Sequence, residues 1–213
     1  MFDLDDKNLI VTGTNLEISV RCTLEVESKT AGKVAVPARL ILDILKSLPE
    51  QPIEFEVVND EYAIEITSES GKYKIAGEDP EEFPKFPTVD DATAFTLPSN
   101  VFLRAINTTA FAAGTDDQRP ALTGIHFRFE QGAVEMAATD GNKLVVYRNT
   151  GLDVSNDDSF IMPRKGIDIL KNTLGDNPDD LQIEYSSTNV LFRYRNIDII
   201  CRLIDEKYPD YKS

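Results

Sequence analysis

The sequence predicts an α+β fold of antiparallel sheets and a few short helices, arranged as tandem copies of one domain. Segments in which apolar and polar residues alternate recur along the chain and are joined by short turns, which is typical of antiparallel strands with one solvated face. A block near the N-terminus also recurs, in the same order, about 125 residues later. This period is longer than the ~20–50 residues of solenoid repeats, so it indicates a duplicated domain.

The two copies align at several places along the chain. Each copy places a proline ahead of an Asp-Ile-Leu-Lys segment and closes on a tail with an aromatic residue before a proline. The aligned pairs are 34–39 with 160–165, 43–46 with 168–171, and 81–86 with 206–211. We therefore predict a first domain at 1–90 and a second at 91–213, with a linker that includes Asp90 and Asp91.

The predicted strands follow from alternation with a period of two. The longest is expected at 16–26, where Leu16 and every second residue after it are apolar. Shorter strands are expected at 53–57, 62–66, 73–75, 125–129, 181–185, 190–194 and 197–201.

Helices are predicted at 37–48, 99–113 and 163–174. The first and third begin at Pro37 and Pro163, because proline is tolerated in the first turn of a helix. Gly175 is expected to end the third helix, and Ser99 is expected to cap the second.

The copies differ at their beginnings. The second copy has a strand and a helix, within 95–121, ahead of the shared pattern that starts at Ile125. The first copy enters the shared pattern at Met1, so we expect about 30 residues to be absent ahead of it. The alternative is a first domain that never had the extra helix.

Charge is distributed unevenly along the chain. The net charge is -15, from 22 basic and 37 acidic residues, and taken alone this argues against a nucleic-acid partner. The predicted helices, however, hold six basic and two acidic residues, so they carry +4 and the remainder carries -19. Chance could produce this segregation in three short helices. The functional interpretation is that the helices face a polyanion and bind its backbone without base specificity.

Other features predict a cytoplasmic protein without a membrane partner. No apolar run approaches the ~20 residues that cross a bilayer, and the acidic N-terminus is unlike a signal peptide. Cys22 and Cys201 occupy non-equivalent places in the two copies, so a structural disulfide is not expected.

Residues suited to catalysis are scarce. The one histidine, His126, lies opposite the apolar Ile125 and Phe127 in its strand and is predicted to be exposed rather than a base or a ligand. The acidic pairs lie at predicted turns, and no Cys-x-x-Cys, His-Glu-x-x-His or Walker-type loop occurs. We expect no catalytic residue, no metal site and no cofactor.

Short motifs spread over essentially all 213 residues resemble one family. Ala-Thr-Asp-Gly-Asn-Lys-Leu at 138–144 is similar to the Ala-Thr-Asp-Gly-His-Arg-Leu segment of bacterial DNA polymerase III beta subunits, the replicative sliding clamps. Further matches are Arg-Pro-Ala-Leu-Thr-Gly at 119–124, Met-Pro-Arg-Lys-Gly at 162–166, Tyr-Pro-Asp-Tyr at 208–211, Val-Pro-Ala-Arg at 36–39 and Phe-Pro at 83–84. Each motif is weak alone, but their order and spacing together are specific.

The resemblance implies a head-to-tail homodimeric ring, in which each protomer has three copies of the DNA-clamp domain. Sheets form the outside, and helices line a central channel around double-stranded DNA. Such a ring is a non-catalytic processivity factor that tethers the DNA polymerase III alpha subunit and clamp-loader subunits through an apolar peptide cleft. The residues that would face DNA are Arg39, Lys46, Arg104, Arg119, Arg164, Lys165 and Lys171. The second-domain half of the cleft would comprise Leu122, Thr139, Gly141, Asn142, Lys143, Leu144 and Pro209.

Two departures from the family pattern matter. Asn142 and Lys143 replace the motif's His and Arg, and because Lys cannot bond in the bidentate geometry of Arg, the peptide preference is expected to differ. The chain stops at Ser213 without a third domain, so we expect a fragment that neither closes a ring nor binds partner peptides well. The other interpretations are a duplicated β-rich protein-interaction scaffold and an enzyme with its site at 139–141, where Asp-Gly is also ordinary turn chemistry.

Overall fold

The computed structural model describes residues 1–5, 7–58, 62–130, 132–150 and 157–212, which divide into two compact units. Unit 1 is Met1–Phe86 and unit 2 is Pro87–Ser213, so the boundary falls slightly before the position expected from the sequence. Both units combine antiparallel sheets with short helices, which confirms the predicted α+β class.

Unit 1 contains one described α-helix and two sets of antiparallel strands. Strand β1 pairs with β2 and β4, strand β2 pairs with β3, and β5, β6 and β7 form a three-stranded meander. Its elements are β1 (Phe2–Leu4), β2 (Asn8–Thr14), β3 (Ile18–Glu25), β4 (Gly32–Val34), α1 (Ala38–Ser47), β5 (Glu54–Val58), β6 (Ala63–Ser68) and β7 (Gly71–Ala76).

The core of unit 1 is aliphatic. Ile41 of α1 packs with Val34 of β4 and with three isoleucines of the meander, Ile64, Ile66 and Ile75. This cluster fixes one face of α1 and leaves the opposite face to solvent.

The long strand predicted at 16–26 is wrong at its first end, because β3 begins at Ile18. Leu16 has a φ of 72° and a side chain that is 76% exposed, so it lies in the turn between β2 and β3. Asn15 closes this turn, since its Oδ1 accepts hydrogen bonds from the amides of Glu17 and Ile18 at 3.1 and 2.8 Å. Local side-chain bonding therefore overrides the apolar alternation here.

Unit 2 repeats this plan with a preceding strand and helix. Strands β11, β10, β9 and β12 form an antiparallel sheet in that order, called the β9–β12 sheet, while β13 pairs with β8 and β14, and β14 pairs with β15. Its elements are β8 (Thr93–Pro98), α2 (Ser99–Thr109), β9 (Gly124–Glu130), β10 (Ala133–Thr139), β11 (Leu144–Thr150), β12 (Asp158–Pro163), α3 (Arg164–Thr173), β13 (Asp180–Tyr185), β14 (Asn189–Tyr194) and β15 (Ile197–Arg202).

The core of unit 2 is aromatic. Phe102 of α2 contacts Phe127 of β9 at 5.9 Å and Phe192 of β14 at 5.5 Å between ring centroids, so α2 lies against both sets of strands. Phe127 stacks in turn on Phe160 of β12 at 4.8 Å. These rings are buried and hold the helix layer on the sheets.

The predicted helices are confirmed, with two corrections. Ser99 does not cap α2; the cap is Pro98, and the Ser99 hydroxyl donates to the Asn177 carbonyl at 2.8 Å. The Asp-Ile-Leu-Lys segments are also not structurally equivalent. Helices α1 and α3 both have ten residues and begin directly after a proline, 126 positions apart, whereas the tetrapeptides lie 125 apart. The buried Ile41 therefore corresponds to the buried Ile167, and the Asp43 position corresponds to Ile169.

Candidate functional site

The helix cations of unit 1 lie on the solvent face of α1. Arg39 and Lys46 are separated by seven residues, or two turns, and both are exposed, while Ile41 faces the core. Arg39 of α1 occupies the same position as Lys165 of α3, because each is the second residue after the proline.

The helix cations of unit 2 lie on two helices that pack against each other, α2 and α3. Arg104, Arg164 and Lys165 are exposed, and Lys171 is half-buried. Arg164 forms a 4.0 Å ion pair with Asp168 one turn later, which holds only weakly at such an exposed site. Four cations are thus presented by one helix pair.

Helix α3 is held close to the strands by a glycine. A Cβ added at Gly166 would lie 2.7 Å from Met162 Cε and 2.8 Å from Cys201 Sγ, so only glycine lets α3 approach this closely. Ile167 and Leu170 are buried on the same side of the helix. The cationic residues of α3 therefore lie on a helix that is tightly packed against the strands.

Arg119 does not belong with the helix cations. It precedes the 3-10 turn Pro120–Thr123, and its Nε donates to Asp116 Oδ2 at 2.9 Å. A Cβ at Gly141 would lie 3.1 Å from Arg119 Nη1, so the guanidinium covers the glycine of the 139–144 loop. The structure thus groups Arg119 with the residues predicted to form the cleft.

The 139–144 loop is closed by its own side chains. Asp140 Oδ1 accepts hydrogen bonds from the amides of Asn142 and Lys143 at 2.9 and 3.0 Å, and Lys143 Nζ donates to Asp140 Oδ2. The bond from Lys143 and the two amide bonds lower the pKa of Asp140 well below its usual range. Thr139 Oγ1 accepts from the Gly141 amide at 3.0 Å, and Gly141 has a φ of 93° that favours glycine. Lys143 is therefore held by the loop.

The outward face of the β9–β12 sheet presents an apolar strip beside this loop. Thr139 pairs with Leu144, and Ala137 pairs with Val146, so Leu144 and Val146 project from the same face of β11. Their side chains are 44% and 42% exposed. Leu122 is buried nearby, and its carbonyl accepts a bond from Gly114, which lies against Asp140. Val146 is not among the predicted cleft residues, although the period of two that starts at Leu144 indicates that it lies on the same face.

Tyr208, the residue before Pro209, packs on this face against His126. The prediction that His126 is exposed is therefore wrong. The Tyr208 ring stacks on the His126 ring at 4.6 Å with 5° between the planes, and its hydroxyl donates to the Ala137 carbonyl at 3.4 Å. His126 is only 9% exposed, because the C-terminal segment covers it from the side away from the core. Burial, aided by the charge of Arg128, lowers the pKa of His126 to about 4.

Within the described ranges, no group of three His, Cys, Asp or Glu side chains could hold a metal ion. Cys22 and Cys201 are not joined by a disulfide. No helix in the described part of the chain is long and apolar enough to cross a membrane.

Both units match sequence models of known domains. Residues 1–87 match the DNA polymerase III beta subunit, N-terminal domain, and residues 96–210 match the central domain of the same subunit. The chain belongs to the DNA polymerase III beta-subunit family. The two matched domains coincide closely with unit 1 and unit 2, and the predicted cleft residues and the helix cations of unit 2 all lie within the central-domain match.

Relatives of the beta-subunit family support this assignment in sequence and in structure. The "Beta sliding clamp" of Staphylococcus aureus (strain Mu50) is 32% identical over 216 residues, which cover 98% of this chain and 57% of the relative. The DNA polymerase sliding clamp from Bacillus subtilis has a TM-score of 0.91 at 29% identity, covering 98% of this chain and 57% of that one. The sliding clamp from Pseudomonas aeruginosa has a TM-score of 0.93 at 25% identity, covering 99% and 58%. The chain thus spans a little over half the length of these relatives.

Proposed function

We propose that this chain is part of a DNA sliding clamp, a non-catalytic protein that binds double-stranded DNA without sequence preference and keeps replication proteins on it. The observation that carries the proposal is the segregation of charge. The chain has a net charge of -15, yet its three described α-helices hold six cations against two acids, and five of the six cations are exposed. Contacts to backbone phosphates require such a cluster of Lys and Arg.

The helix cations assigned to DNA are Arg39, Lys46, Arg104, Arg164, Lys165 and Lys171. Acidic residues on the strands and loops would repel DNA elsewhere, which favours contact through the helices. A duplicated scaffold that binds only proteins gives no reason for this segregation, and it is not favoured by the family match.

The apolar strip of unit 2 is the second part of the proposal. Leu144, Val146 and Pro209 offer a shallow apolar wall to a partner's linear peptide, in the manner of a groove with a few polar groups at its edge. Lys143 is paired with Asp140, whereas Arg119 Nη1 lies over Gly141 at the edge of the strip. We therefore assign Arg119 to peptide contact rather than to DNA contact.

The partners in this proposal are those of the intact clamp. They are double-stranded DNA, the DNA polymerase III alpha subunit, clamp-loader subunits and a second protomer in a head-to-tail ring, with no membrane and no cofactor. A bacterial cytoplasm suits a chain whose two cysteines are not joined by a disulfide.

The test is retention of the intact protein on DNA of two topologies. The protein is loaded by its clamp loader onto nicked circular DNA, one aliquot is linearised with a restriction enzyme, and bound protein is separated by gel filtration. A clamp stays on circles and slides off free ends, so linearisation should release it. Equal retention on circular and linear DNA would refute the proposal. As a control, blocking the ends of the linear DNA with a bound protein should restore retention.

A further inference from the structure

The C-terminal segment 203–212, called the strap, crosses the outward face of the β9–β12 sheet. Its start is fixed by backbone hydrogen bonds, from the Leu203 amide to the Thr188 carbonyl at 2.8 Å and from the Ile204 amide to the Ile161 carbonyl at 2.9 Å. Beyond Ile204, the described contacts that hold the strap to the sheet come from side chains. Those contacts decide where Pro209 lies.

The first group of strap contacts is aromatic. Tyr208 stacks on His126, and Tyr211 meets both rings edge-on, with its centroid 6.0 Å from each. Stacked and edge-to-face pairs at these distances contribute beyond the area they bury. Pro209 is exposed between these two anchored tyrosines.

The second group converges on a buried carboxylate. Tyr211 donates its hydroxyl to Glu135 Oε1 at 2.7 Å, and Lys212 Nζ lies 3.0 Å from the same oxygen. The Glu135 side chain is 6% exposed, and Arg148 Nη1 lies 3.9 Å from its other oxygen. A buried carboxylate is unfavourable unless it is paired, and its two shortest contacts come from the strap.

The charges around Glu135 agree with this pairing. Burial by itself raises the pKa of Glu135, but the hydrogen bonds from Tyr211 and Lys212 outweigh burial and leave the pKa below its usual value. Lys212 also lies 3.2 Å from Glu130 Oε1, and Arg148 lies 2.8 Å from Glu130 Oε2. The strap therefore completes an ion-pair network on the sheet.

We propose that His126 and Glu135 are positioning residues for the peptide cleft. They hold the strap in one place, so that Pro209 lies beside the apolar strip. The inference rests on the proposed function. Tyr208, the residue before Pro209, bonds to the carbonyl of Ala137, and Ala137 pairs with Val146 of the strip. A strap released from Glu135 would leave Pro209 without a fixed place, so a peptide would have to order it on binding.

The experiment measures binding of the purified DNA polymerase III alpha subunit to the immobilised intact protein. The variants are Tyr211→Phe, which removes only the hydroxyl bonded to Glu135, and Glu135→Gln, which removes the charge. The matched control is Tyr147→Phe, because Tyr147 alternates with Val146 on β11 and so points away from the strap. A hydrogen bond to a buried carboxylate corresponds to roughly tenfold in an equilibrium constant, so both variants should bind about tenfold more weakly while the control is unchanged.

Two further readouts separate positioning from folding. The fraction of already loaded protein that stays on circular DNA should be unchanged in Tyr211→Phe and Glu135→Gln, since this fraction does not depend on how much protein the clamp loader places there. Amide exchange should accelerate in the strap but not in β9. His126→Phe keeps a stacking ring and should bind the alpha subunit as the unaltered protein does, whereas His126→Ala should bind about tenfold more weakly.

The outcomes are distinguishable. If the unaltered protein does not bind the alpha subunit, the proposed cleft fails. If it binds and Tyr211→Phe binds equally well despite a loosened strap, the positioning role is refuted. An unchanged exchange rate in the strap of Tyr211→Phe would show that Glu135 does not hold it, which also overturns the inference.

Discussion

Removing the Phe127 ring should cost unit 2 a large part of its stability. Phe127 is 1% exposed and lies between Phe102 of α2 and Phe160 of β12. An aromatic side chain buries ~150–250 Å², which at about 25 cal/mol per Å² corresponds to ~4–6 kcal/mol. Alanine retains part of this area but leaves a cavity, so we expect Phe127→Ala to cost about 4 kcal/mol. A single domain has only ~5–15 kcal/mol of stability in total.

Native-state hydrogen exchange is the suitable assay, because it reports each unit separately and needs no two-state assumption for the whole chain. The opening free energy of amides in β9 and α2 should fall by about 4 kcal/mol in Phe127→Ala, with little change in β6 of unit 1. Phe111→Ala is the matched control, since Phe111 is in the same unit but is 61% exposed, and it should change the value by less than about 0.5 kcal/mol. A decrease in the opening free energy of less than about 1 kcal/mol for Phe127→Ala would refute the claim that a closed aromatic core holds α2 on the sheets.

Three further predictions concern the loop, the histidine and the thiols. Gly141→Ala should destabilise unit 2 by about 1 kcal/mol, because Gly141 has a φ of 93°. The control Gly13→Ala should not destabilise unit 1, since a Cβ added at Gly13 meets no atom within 4 Å. Equal shifts in melting temperature for the two variants would contradict this prediction. NMR titration of His126 should give a pKa near 4. Because the pKa of histidine in the unfolded chain is about 6.5, the contribution of His126 to stability should be full above pH 6.5 and fall as the pH drops toward 4. A measured pKa near 6.5 would mean that the ring is not covered. A thiol reagent should label the half-buried Cys22 well before the buried Cys201, and similar rates would argue against the packing of α3 on β15.

Much of the fold could be predicted because its signals are local. The prolines at 37 and 163 and the apolar spacing after them place α1 and α3 to within a residue or two. Leu16 was misplaced because the Asn15 side chain closes a turn, which alternation does not register. The role of Ser99 was misread because its partner, Asn177, is 78 residues away in sequence.

Site residues divide in the same way between local and long-range signals. The family motif identified the 139–144 loop, whose closure by Asp140 involves residues within three positions of one another. The grouping of Arg119 with Gly141 and the burial of His126 under Tyr208 join segments 22 and 82 residues apart. Such contacts depend on the tertiary fold, so composition and spacing could not indicate them.

The most direct test of the DNA-binding assignment is the salt dependence of DNA affinity in the intact protein. The triple variant Arg164→Gln, Lys165→Gln and Lys171→Gln removes three cations from α3. Each phosphate contact contributes about 0.9 to the slope of log K against log salt, so the slope should flatten by about 2.7 if all three contact phosphate.

The control variant carries the same change in charge away from the helices, with Lys7→Gln, Lys29→Gln and Lys72→Gln at exposed positions of unit 1. We predict that its slope equals that of the unaltered protein, while the α3 triple variant flattens by two to three, in keeping with about 0.9 for each phosphate lost. An α3 triple variant with an unchanged slope, or a control that flattens as much, would contradict the claim that the helices bind DNA.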